Sequence, residues 1–134
     1  MRVGIAYYAD KNSSLIDIAK SLEKALVEEG HQTETVDLLK TDASLTRFNY
    51  IIFCINTTSL FGGKIPDGFK SRIRTMGMIE GKHCACIVDK KFGDFKTLSN
   101  MMKLLEKEGL LLCSSEIISS PDFAYFYGKK ITIY

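Results

Sequence analysis

The chain has 134 residues, 46% of them hydrophobic and 25% charged, which suits one globular domain of about 100–200 residues with its own core and argues against disorder. Lys plus Arg exceeds Asp plus Glu by only two, 18 against 16, and basic and acidic residues are interspersed, so there is no electrostatic footprint for a nucleic-acid backbone. The longest apolar runs, Tyr50 to Ile55 and Leu110 to Cys113, fall far short of the ~20 residues that cross a bilayer, and the first residues lack a signal peptide's apolar stretch. The expectation is a cytoplasmic protein without membrane or nucleic-acid partners.

Arg2 to Tyr8 reads as a short buried strand. Ser13 and Ser14 then offer caps for a helix whose apolar positions, Leu15, Ile18, Ala19, Leu22, Ala25 and Leu26, recur at three- and four-residue spacing until Gly30. Gln32 to Leu38 reads as a second strand, and the continuous apolar run Asn49 to Ile55 as a third, covered on both faces. Pro66 followed by Phe69, Ile73, Met76 and Ile79 predicts a second helix with Gly81 near its end, although Gly77 weakens it.

Lys82 to Asp89 is a fourth strand. Asp94 to Glu108 is a third helix, with Leu98, Met101, Met102 and Leu105 toward the sheet and Gly109 as its stop. Leu110 to Ile118 is a fifth strand. Strands alternating with helices of this length specify an α/β domain, and five strands suit a three-layer parallel sheet in the flavodoxin-like order 2-1-3-4-5 with helices on both faces. The single domain spans residues 1–134 and ends in an aromatic tail, 119–134. There Ser120-Pro121-Asp122 starts a helix of at most two turns that Gly128 ends. Five aromatics, Phe123, Tyr125, Phe126, Tyr127 and Tyr134, are too many to leave exposed, so the tail packs on the sheet or joins a second copy in a homodimer.

Cys54, Cys84, Cys86 and Cys113 all lie in apolar strand-like segments, where a thiol behaves as a small hydrophobe, and Cys84 and Cys86 stand two apart on a strand rather than at turn spacing. No metal is expected. His31 and His83 fall at the starts of strands, the end opposite any ligand, so no hydrolase triad forms. G-x-G-x-x-G and Walker motifs are absent, and Asn56 stands where a phosphoacceptor domain needs an aspartate.

Ligands of open parallel sheets bind at the carboxyl ends of the strands, where strand order reverses. Three loops converge there, residues 9–14, 56–64 and 90–94. In the first, Lys11, Asn12, Ser13 and Ser14 lead into a helix and suit either a phosphate at the positive end of its dipole or a plain cap, with Asp10 opposing an anion. In the second, Asn56, Thr57, Thr58, Phe61 and Gly62 suit the edge and face of a flat ring, or a solvated turn anchored by Phe61. In the third, Phe92 and Gly93 offer a second wall.

Lys11-Asn12-Ser13 followed by Ile18-Ala19 resembles the S-P-R-K-N-S-N-T-x-x-L-A phosphate loop of the NADPH-dependent FMN reductase and iron-sulfur flavoprotein branch of the flavodoxin-like superfamily. Tyr50-Ile51-Ile52-Phe53 and Leu60-Phe61-Gly62-Gly63 resemble the strand before, and the end of, that family's S-P-x-Y-F-G loop. Pro66, Lys70 and Ile73 resemble its next helix, and Gly81-Lys82 its usual G-K before the fourth strand.

The resemblance covers roughly residues 1–118. It implies FMN as cofactor, with its phosphate on Asn12, Ser13 and Ser14, its isoalloxazine on Thr57, Thr58, Phe61 and Gly62, and Phe92 and Gly93 on the other side. It also implies electron transfer or flavin-dependent reduction, with NAD(P)H or a redox protein as partner in an FMN reductase-like oxidoreductase. The family's iron-sulfur cysteine cluster is absent. Tyr8 and Asp10 replace the phosphate loop's serine and arginine, and Asn56 to Ser59 replace S-P-x-Y. These departures support the alternative, a flavin-free interaction or regulatory module.

Overall fold

The structure, a computed structural model, describes residues 1–8, 14–40, 43–56, 65, 68–89 and 94–134. Five strands, β1 (Arg2–Tyr8), β2 (Gln32–Asp37), β3 (Tyr50–Ile55), β4 (His83–Asp89) and β5 (Leu111–Ile118), form one parallel sheet in the order β2-β1-β3-β4-β5. Four helices cover it: α1 (Leu15–Glu28), α2 (Phe69–Arg74), α3 (Asp94–Lys107) and α4 (Pro121–Lys130). Strand order and helices on both faces agree with the sequence pattern.

β3 is central, and all six of its residues are buried. Because side chains alternate along a strand, Tyr50, Ile52 and Cys54 point to one face and Ile51, Phe53 and Ile55 to the other. The first face is covered by α1, whose Leu15, Ile18, Ala19, Leu22, Ala25 and Leu26 are at most 1% exposed, and by Ala124 and Tyr127 of α4. The second face is covered by Phe69 and Ile73 of α2, Met101 and Leu105 of α3, and Leu38, Leu45 and Phe48 from the connection between β2 and β3. Leu98 packs against this second cluster, while Met102 is half-buried outside it.

Two elements differ from the pattern. The helix expected from Pro66 to Ile79 is only six residues long: Gly68, at φ +86°, precedes it, and Gly77, at φ +96°, has a left-handed backbone that no α-helix accommodates. Met76 and Ile79 are nonetheless buried, reaching the core from the turn, and the Leu45 N–H donates to the Met76 carbonyl at 3.0 Å. Pro66 lies outside the described residues.

The tail helix is longer than expected. Ser120 accepts from the Phe123 N–H at 3.2 Å and Pro121 occupies the first turn, as the sequence indicates, but α4 continues through Gly128 to Lys130. Gly128 is a contact residue rather than a stop: a Cβ there would sit 2.7 Å from Cβ of Ala25. The tail thus packs on α1 and the sheet, one of the two expected arrangements, and leaves Phe123, Phe126 and Tyr134 exposed.

Candidate functional site

In a parallel sheet all strands end at the same edge, and here the order reverses between β1 and β3. Tyr8 pairs in register with Ile55 and Ile55 with Val88, so Tyr8 ends level with them, and Asn56 and Asp89 follow one residue further along at the same edge. The amino end of α1 reaches the same edge, since six residues join Tyr8 to Leu15. Of the sequence-predicted site residues, the structure places Ser14 and Asn56 at this edge. Lys11, Asn12, Ser13, Thr57, Thr58, Phe61, Gly62, Phe92 and Gly93 lie outside the described residues.

Ser14 precedes α1 with helical backbone angles, φ −63° and ψ −14°, and its side chain makes no capping hydrogen bond. This corrects the expectation that its hydroxyl caps the helix. Its carbonyl accepts from the Ile18 N–H at 3.0 Å, and the exposed hydroxyl stays available at the positive end of the helix dipole. Asp17, exposed in the first turn, already sets a carboxylate against that dipole and opposes a second anion there.

Tyr8 is half-buried, with its ring edge-on to Phe69 at a centroid distance of 5.7 Å. Its hydroxyl lies 3.0 Å from where a Cβ on Gly68 would stand, so the approach to α2 is shaped around this phenol. On the opposite face Tyr7 is half-buried, and burial, then the Asp37 carboxylate beside it in register, push its pKa up, so it keeps its proton at neutral pH. Asn56 is half-buried at the end of β3.

Sequence reasoning missed Asp89 as a site residue. It is 3% exposed at the last position of β4, directly before the third loop. The available signal was an acid closing an otherwise apolar strand.

The remaining titratable candidates lie elsewhere. His31 precedes β2 and His83 begins β4, at the amino edge, as expected. Cys54, Cys84 and Cys86 are buried free thiols on β3 and β4, and Cys113 is half-buried on β5. Burial pushes the pKa of Cys54 and Cys86 well up and that of Cys84 up to about 12, so these sulfurs stay protonated packing groups. Among the described residues no three His, Cys, Asp or Glu side chains converge, and no helix is long and apolar enough to cross a membrane.

No protein-family model matches the chain, and no curated protein matches it in sequence. Solved structures match it along nearly its whole length. The two-electron reduced flavodoxin of Megasphaera elsdenii superposes with a TM-score of 0.78 at 16% identity, covering 95% of this chain and 96% of that one. A flavodoxin of Streptococcus pneumoniae TIGR4 gives 0.71 at 12% identity, covering 97% of each chain. The NAD(P)H:quinone oxidoreductase of Methanothermobacter marburgensis gives 0.67 at 14% identity, covering 97% of this chain and 98% of that one. The fold is therefore flavodoxin-like.

Proposed function

We propose that this chain binds FMN at the carboxyl edge of its sheet and serves in electron transfer or flavin-dependent reduction, with a redox protein or NAD(P)H as partner. The observation that carries the reading is that Tyr8 and Asn56 end the strands on either side of the switch point, with Asp89 on the next strand at the same edge, in a fold shared end to end with flavodoxins. A bound flavin would supply the electron chemistry, while the protein supplies orientation and an electrostatic setting.

The residues fit that role in part. Ser14 presents an uncommitted hydroxyl at the helix end, and with Lys11, Asn12 and Ser13 it would hold the phosphate. Asn56, Thr57, Thr58, Phe61 and Gly62 would take one side of the ring, and Phe92 and Gly93 the other. Asp89, buried at the last position of β4, would place a carboxyl group at the same edge as the ring. No side chain need act as acid or base. The reading includes a cytoplasmic location.

A specific observation favours the flavin-free interaction module as second reading. The Tyr8 ring occupies the end of β1, where the phosphate loop of the resembling family has serine, and Asp17 stands in the first turn of α1.

Titration of the purified protein with FMN, followed by quenching of flavin fluorescence and by calorimetry, separates the two. The proposal expects saturable, stoichiometric binding at micromolar or tighter affinity, weakened at least tenfold by Ser13→Ala or Phe61→Ala, roughly 1.4 kcal/mol. Absence of saturation in folded protein would remove the flavin reading and leave the module.

A further inference from the structure

A second cleft, of about 390 Å³, lies between β5 and the segment following α4, lined by Cys113, Ser114, Tyr127, Lys130, Thr132 and Tyr134 among others. Its floor comes from an irregularity in the sheet. Cys84 pairs with Leu112 but Ala85 with Ser114, which leaves Cys113 as an extra residue in β5. Such a bulge breaks the alternation of side chains, so the consecutive residues Cys113 and Ser114 both turn toward α4, one against the α1–α4 core cluster and the other onto Tyr127. The Ser114 and Tyr127 hydroxyls lie 2.5 Å apart.

Directly behind this wall is Tyr50. The residue is fully buried in the cluster that Cys113, Tyr127 and Ile131 pack against, and among the described residues none completes a hydrogen bond to its hydroxyl. Burial, before any neighbour, pushes its pKa up, so at neutral pH it is a hydrogen-bond donor without an acceptor. A buried polar group left unpaired costs more than an ordinary hydrogen bond contributes, so such a group calls for an explanation. Tyr134, which meets the His83 ring edge-on at 5.5 Å and is 53% exposed, lines the cleft on its solvent side.

The lining settles the kind of ligand. Its charged side chain is a cation, Lys130, set over the Phe126 ring at 4.1 Å; the Cys113 thiol donates to the Leu111 carbonyl, and the bonded pair of Ser114 and Tyr127 hydroxyls keeps one proton to donate. Tyr127, Tyr134 and Ile131 supply flat apolar walls, and the volume is within the range of about 300–1,000 Å³ common for small-molecule sites. We propose that this cleft binds a small aromatic carboxylate, with its ring against Tyr127 and Tyr134 and its carboxylate accepting from Lys130 and from the Tyr50 hydroxyl once Tyr134 swings aside. Tyr50 and His83 are the first residues of β3 and β4, so the site lies at the sheet edge opposite the proposed flavin site and stands independently of it.

Benzoate is the probe, titrated into the folded, ¹⁵N-labelled protein with amide shifts as readout. The expected result is saturable binding with a Kd of about 1 mM or tighter, with shifts centred on Ser114, Tyr127 and Thr132. Tyr50→Phe and Lys130→Gln should each weaken it about tenfold, the loss of one hydrogen bond to a charged group. Tyr50→Phe should at the same time melt no lower than the parent, because it removes an unpaired donor. Three results would overturn the proposal: no saturable shifts at these residues, the parent's affinity retained in either variant, or a clear loss of stability in Tyr50→Phe, which would show that the hydroxyl is already satisfied inside the fold.

Discussion

Gly128 lies where α4 crosses α1, and a Cβ there would stand 2.7 Å from Ala25 Cβ and 3.4 Å from the Leu22 carbonyl oxygen. Alanine ordinarily gains about 1 kcal/mol over glycine inside a helix, but here both opposing atoms belong to a packed neighbouring helix that must shift. Gly128→Ala should therefore lower stability by about 1–3 kcal/mol, read from the denaturant midpoint, whereas an unchanged or raised midpoint would mean that the helices can move apart. The same residue shows what sequence conceals. A glycine after an aromatic run reads as a helix stop, and only the partner helix reveals it as a point of close approach. Asp89 was obscured in the same way, since an acid at the end of a strand looks solvated until the sheet around it is assembled.

Between elements, α4 is tied to α1 by polar contacts along the outer edge of their interface. The Tyr125 hydroxyl donates to Glu28 at 2.5 Å, and Lys129 lies 3.7 Å from Glu28 and 3.3 Å from Glu29. The hydrogen bond from Tyr125, acting against desolvation and assisted by Lys129 and Lys24, holds the Glu28 carboxyl below its ordinary range. A carboxylate with a depressed folded-state pKa contributes stability above its unfolded-state pKa and loses it as pH falls through the folded value. Thermal melts of the parent and of Glu28→Gln should thus differ most near neutral pH and converge as pH falls to about 3, while a constant offset would mean that the carboxylate's charge is immaterial.

Most of the architecture was legible at this scale. The three- and four-residue spacing from Leu15 to Leu26 and the unbroken apolar run of β3 each have one structural solution, and both formed. The failure at α2 has a clear cause, since Phe69, Ile73, Met76 and Ile79 keep helical spacing while Gly77, held at positive φ, prevents the helix from using it. The candidate site was less legible, because its residues lie in loops whose side chains carry no periodic signal. Ser14 and Asn56 could be placed at the right edge, but Ser14's failure to cap α1 depends on backbone angles that the sequence does not encode locally.

At the scale of the molecule, Phe123, Phe126, Leu111 and Tyr134 are each between 43% and 57% exposed, on α4, at the start of β5 and in the segment after α4. We propose that residues 123–134 mediate a homodimer, in which a second copy covers the apolar side chains that the tail leaves exposed after packing on its own core. Sedimentation equilibrium should show self-association that Phe126→Ser weakens, and a monomer at high concentration would remove the proposal. The β2 edge, with Glu34 and Asp37 along it, is protected by charge and is not expected to pair. Flavin binding at the carboxyl edge is tested by mapping amide shifts of ¹⁵N-labelled protein during FMN titration. Saturable shifts should concentrate at Tyr8, Ser14, Asn56 and Asp89, with little change at His31 or His83. Saturable shifts centred on the amino edge or on α4, or none at all, would contradict it.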